Sequence, residues 1–91
     1  MAVVVIAQNA GVTAEQDDAM MQQLTPGPGN LARLAGPFEG GWRIISVWES
    51  QEAFDTFRRE RLEPALRQAG RTMPQFQISP LHSVRIAPQQ R

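Results

Sequence analysis

Three side chains supply most of the chemistry open to this chain: Asp17, Arg33 and His82. A carboxylate can take a proton from a substrate, a guanidinium can stabilise the resulting anion, and an imidazole can move protons near neutral pH. Asp17 lies in the stretch VTAEQDDAMMQQL, from Val12 to Leu24. With Met20, Met21 and Leu24 it follows the i, i+3, i+4, i+7 spacing of a helix's buried stripe, and it stands at the head of that stripe. Two readings follow. Either Asp17 reaches solvent and serves the positive end of the helix dipole beside Asp18, or it is a partly buried carboxylate facing a cavity, placed to act as a base or to hold a polar substrate.

Arg33 sits within LARLA (31–35), a short run that is otherwise small and apolar, so it needs a partner or a route to water. An edge position, an ion pair within a dimer, and a pair with Asp17 across a pocket all meet that need. His82 is the single histidine. On a final strand it would share a face with Phe76, Ile78, Val84 and Ile86, either as a packed core or interface residue or as a third catalytic group. Trp42 and Trp48 fall on one strand face as core, or as walls on which an aromatic ligand stacks. Met20 and Met21 are core or adaptable pocket lining.

Other chemistries are excluded. The chain has no Cys, hence no disulfide and no thiolate nucleophile. One histidine and no carboxylate cluster of ligand spacing argue against a metal site. No Ser-His-Asp spacing stands out, and the glycine turns GPGN and EGG lack the strand-to-helix context of a phosphate loop. Nine acidic and nine basic residues, the latter all Arg, cancel, which leaves no general field to draw nucleic acid or an anionic membrane. The opening MAVVVIAQ has no basic region, and its apolar run is too short for a signal or a membrane span, so a cytoplasmic location is expected.

The elements that must hold these residues are readable. The 91 residues make one domain, 1–91. AVVVIAQ (2–8) is a buried central strand. Thr13 and Gln16 have capping-box spacing and start a helix over 14–24, stopped by TPGPGN. LARLA is a second strand, GPFEGG (36–41) a turn, and WRIISVW (42–48) a third strand. Ser50 caps a helix over 51–62. Pro64 predicts a break near Glu63 and a short further piece over 64–68. QFQISPLHSVRIA (75–87) is a final strand whose Pro80 suggests an edge or a bulge, and the tail PQQR is loose. The order βαββαβ is the ferredoxin-like split βαβ plan, an α+β class. Trp42, Ile44 and Trp48 point to one sheet face and Ile45 and Val47 to the other. Helices cover one face, and a second copy of the chain is the simplest cover for the other.

The stretch AGPFEGGWRIISVWESQEAFDTFRRERLEPAL (35–66), followed by PLHSVRI (80–86), resembles the antibiotic-biosynthesis-monooxygenase-like proteins of the dimeric α+β barrel superfamily. The likeness spans about residues 2–87 and is most specific over Gly40 to Phe57. It implies a homodimeric α+β barrel with a pocket between sheet and helices in each subunit. Characterised relatives include cofactor-independent monooxygenases acting on quinone-forming polyphenols. The haem-degrading branch carries Trp and His where the match puts Phe57 and Arg67, so no haem and no other cofactor is expected, and Phe57 becomes a pocket residue. Relatives often place an aromatic where this chain has Asp17 and a His where it has Arg33. The resemblance thus implies an enzyme for an aromatic or polyketide-like molecule, while the residues themselves offer Asp17, Arg33 and His82 as catalytic groups and Trp48, Met20, Met21 and Phe57 around the substrate. Oxygen insertion, acid–base isomerisation and cyclisation all stay open, as does a dimeric binding protein without catalysis.

Overall fold

The computed structural model describes residues 1–25, 27–85 and 87. Strand β1 (Val3–Ala10) leads into α1 (Ala14–Gln23), then β2 (Asn30–Phe38), β3 (Gly41–Trp48), α2 (Gln51–Phe57), a π-helical turn (Arg58–Leu62), α3 (Glu63–Gln68) and β4 (Phe76–Pro80). The strands lie in the order β2-β3-β1-β4 and every neighbouring pair is antiparallel. This is the split βαβ arrangement: each helical connection skips over a strand that runs the other way.

β1 is central, as its Val-rich run predicts. Val3, Val5 and Ala7 are buried under the helices, while Val4 and Ile6 alternate to the opposite face. Trp48, Phe54, Val3 and Val5 form the centre of the core, with Phe57, Phe76 and Ile78 packed on it.

The hairpin is tighter and longer than its sequence suggests. Its turn is only Glu39 and Gly40, both with positive φ (48° and 77°). That geometry matches the twist of the flanking strands, so β2 extends to Phe38 rather than stopping at Ala35. The turn sets the register, and Arg33 falls opposite Ser46. A bulge at Leu31 then lets Asn30 pair with Trp48. In an unbulged strand Asn30 and Arg33 would face opposite sides; the extra residue brings both to the helix face. The Asn30 side chain secures the bulge by donating to the carbonyls of Ala32 and Val47, each at 3.3 Å.

The break expected near Glu63 is absent. Glu63 keeps helical dihedrals (φ −60°, ψ −46°), and its N–H donates to Arg58 O across a π-type span. The wider turn relieves the clash that Pro64 would make with the preceding turn of an α-helix. It also shifts the apolar stripe: Phe57 is followed on the cavity side by Leu62, five residues on, and Arg61 is left exposed.

β4 is shorter than the predicted strand over 75–87. Pro80 ends it, Leu81 N–H makes one more bond to Ala2 O (2.9 Å), and His82 to Arg85 run exposed without strand pairing. Ile86 and the tail PQQR lie outside the described residues. No described helix is long and apolar enough to cross a membrane.

Candidate active site

A cavity of about 90 Å³ lies between α1, the sheet and the α2–α3 segment. One water needs roughly 10–15 Å³ of such space, so the cavity holds several waters or a small chemical group. Its lining is mainly apolar, with Val5, Met20, Met21, Trp48, Phe57 and Leu66 prominent.

The aspartate at the head of the apolar stripe faces this cavity. Thr13 caps α1 by accepting from Gln16 N–H (3.2 Å), and the Gln16 side chain accepts from Thr13 N–H (3.1 Å). This reciprocal pair sets the helical phase. Asp17 then takes the fourth position, turned inward beside Val12, and is 8% exposed. Arg33 reaches it from β2. Nη2 lies 2.7 Å from Oδ1 and Nη1 3.2 Å from Oδ2. A two-bond fork of this kind fixes both groups in position as well as in charge. Each carboxylate oxygen keeps a second lone pair for another donor. Of the readings open from the sequence, the ion pair across the pocket is the one the structure adopts, with both members on the cavity wall.

Further polar groups join them. Ser46, 8% exposed, accepts from the Trp48 indole N–H at 3.0 Å. Because the indole can only donate, it orients the serine oxygen and leaves the hydroxyl proton to point elsewhere. Asn9, Asn30 and Arg71 also border the cavity. The spacing of Ser46 from Trp48 already places it on the same strand face, so its position was readable from alternation. Asn30 was hidden by the bulge, and Arg71 by its place in a loop.

The far wall is aromatic. Trp48 packs against Phe54 (5.6 Å between centroids, 65°) and Phe57 (5.0 Å, 38°), and Phe54 meets Phe76 at 5.2 Å and 73°. Met20, Met21, Trp48 and Phe57, expected around a substrate, all line the cavity. Leu24, 5% exposed, lines it as well.

His82 is not part of this constellation. It is exposed and lies past the end of β4, because the strand that would have turned it inward stops at Pro80. Arg67 is likewise exposed and away from the cavity. Among the described residues no three His, Asp or Glu side chains converge as metal ligands.

No family model matches the chain, and no curated protein sequence matches it. Solved structures do. A protein of unknown function from Nitrosomonas europaea, NE2512, superimposes with a TM-score of 0.72 at 13% identity, over 97% of this chain and 96% of that one. SnoaB, a cofactor-independent oxygenase from Streptomyces nogalater solved as a mutant, gives 0.65 at 11% identity over 91% and 95%. A structure from Chloroflexus aurantiacus, provisionally assigned as an antibiotic biosynthesis monooxygenase, gives 0.61 at 20% identity over 96% and 100%. The chain has the antibiotic-biosynthesis-monooxygenase-like, ferredoxin-like α+β fold. At these identities the likeness carries the fold.

Proposed function

We propose that the chain is a small homodimeric enzyme that binds an aromatic or polyketide-like molecule between α1 and the sheet and works without a bound cofactor. The observation that carries this reading is a charged pair, Asp17 with Arg33, set in the wall of an otherwise largely apolar cavity. Apolar lining with a few convergent polar groups is the usual character of a small-molecule site. The likeness of the fold to a cofactor-independent oxygenase supports the same class.

In this reading Asp17 removes a proton from an activated ring position of the substrate. Arg33 and the Ser46 hydroxyl hold the oxygen on which the negative charge then rests. Dioxygen, arriving as co-substrate, converts a ring CH₂ to a carbonyl, with one oxygen atom kept in the product and the other released as water. The substrate supplies the electrons. Trp48 and Phe57 offer the ring a flat surface.

The second copy covers the outer face of the sheet. Val4 pairs with Val47, Ile6 with Ile45, and Leu34 with Ile45. Together they form one apolar surface on which Leu34 is 59% exposed in the single chain.

The test is oxygen uptake by the purified protein with a polyphenol such as 1,4-dihydroxynaphthalene, measured over the protein-free rate, alongside sedimentation. Wild type is expected to accelerate uptake as a dimer. Asp17→Asn is expected to lose the acceleration and remain a dimer. An unchanged rate in that variant would remove Asp17 from the chemistry.

One observation favours a second reading, a dimeric binding protein without catalysis: both oxygens of Asp17 are already engaged by Arg33. That reading gains if the polyphenol binds and wild type adds nothing to its oxidation.

A further inference from the structure

A shallow groove runs over the surface between α1 and α3, bordered by Gln16, Gln23, Ala65 and Gln68. Two residues border both this groove and the interior cavity: Met20 and Arg71. At these two positions the cavity and the groove share a residue, and both side chains are unbranched and flexible. The backbone of Arg71 is anchored, its N–H donating to Leu66 O at 2.9 Å. Its guanidinium forms no ion pair with a described carboxylate. No acidic residue borders the groove. Asp17 and Arg33 pair with each other, which leaves Arg71 as the one other charged residue among the described residues that line the cavity.

We infer that Arg71 is a specificity-determining residue: it selects an aromatic acid, a ring system bearing a carboxylate or similar fixed anion, which passes into the cavity between α1 and α3 as Met20 swings aside. This deepens the reading of the cavity as a small-molecule site and rests on it. A cavity of about 90 Å³ is well below the roughly 300–1,000 Å³ of ordinary ligand pockets. A ring system must therefore move part of the wall, and Met20 and Arg71 are the residues that the cavity shares with the groove outside. A guanidinium fork meets a carboxylate with two parallel bonds, and water-poor surroundings strengthen them. A neutral ring of the same shape gains nothing from the fork.

The experiment compares 2-naphthoate with 2-naphthamide, near-equal in shape and different in charge, by calorimetric titration of the full chain. Wild type is expected to bind naphthoate about ten-fold tighter, a margin that narrows with added salt. Arg71→Gln is expected to bring the ratio close to one by weakening naphthoate alone, and Arg71→Lys to keep part of the preference. Equal weakening of both probes would make Arg71 a packing residue and overturn the inference. A preference that survives Arg71→Gln would transfer selection elsewhere and overturn it too. If both probes bind wild type alike, the charge rule falls and the small-molecule reading stands. If neither binds wild type, both fall.

Discussion

The two helical walls of the cavity are built by opposite means. The α2 side is an aromatic stack: Phe54, 2% exposed, sits edge-on to both Trp48 and Phe76, and Leu66 continues the seal from α3. The α1 side is held by one ion pair, two methionines and Leu24 at its end, and Asp17 is the one buried residue within the helix. Aromatic packing is non-directional and resists opening, because any displacement exposes area to water. An ion pair at a cavity wall opens more readily, since water rehydrates both charges as they part. The fold thus keeps one wall fixed and hangs the other on groups that can let go, and segments that admit ligands are drawn from the less stable parts of a structure.

The largest effect should come from breaking the fixed wall. Phe54→Ala removes the ring that joins Trp48 to Phe76 and leaves a void in the core. Phe-to-Ala changes in cores cost about 3–5 kcal/mol, which for a domain of this length lowers the melting temperature by more than about 12 °C. Calorimetry or denaturant unfolding reads this directly. A loss below about 1 kcal/mol would mean that the aromatic stack is not what holds the fold, and the contrast between walls would collapse.

Next in size is the ion pair. Asp17→Ala leaves the Arg33 guanidinium, whose side chain is 21% exposed, without its partner. The expected cost is about 1–3 kcal/mol, below that of a fully buried pair. Exchanging both partners for apolar residues, Asp17→Leu with Arg33→Met, is expected to recover most of that loss. Amide exchange sharpens the comparison. In Asp17→Ala the α1 amides are expected to exchange at least about five-fold faster, while those of β1 change only with global stability. Equal acceleration in both elements would show that α1 opens only when the whole domain unfolds.

What could be read in advance divides along the same line. The order of elements, the two caps and the place of Asp17 at the head of the apolar stripe follow from local rules: alternation, a reciprocal Thr13–Gln16 cap, and a 3.6-residue repeat. The Asp17–Arg33 pair was legible because a lone Arg in an apolar strand demands a partner. The features that escaped depend on how segments meet. The bulge that brings Asn30 to the cavity face is a mismatch between two strands, visible in neither one alone. Pro64 announces a disturbance, but whether the chain breaks or widens into a π-turn depends on whether Leu62 gains a place on the core. His82 was misplaced for a related reason: the apolar residues after Pro80 suggest a continuing strand, yet pairing with β1 ends there. Arg71 carries no pattern at all, since it lies in a loop and borders both cavity and groove only once α1 and α3 are in place.

The smallest effects separate the walls most cleanly, because two caps of the same chemistry stand on opposite sides. Thr13 accepts from Gln16 N–H at 3.2 Å at the start of α1, and Ser50 accepts from Ala53 N–H at 3.0 Å at the start of α2. Each change to Ala is expected to cost about 1 kcal/mol. If α1 opens on its own, Thr13→Ala speeds exchange of α1 amides by about five-fold at fixed denaturant, the factor that 1 kcal/mol represents. Ser50→Ala then leaves α1 exchange untouched and appears only in the global unfolding midpoint, since α2 cannot leave without Phe54. If Ser50→Ala speeds α2 exchange locally as well, the aromatic wall also opens by itself, and the two sides of the cavity differ in composition but not in how they move.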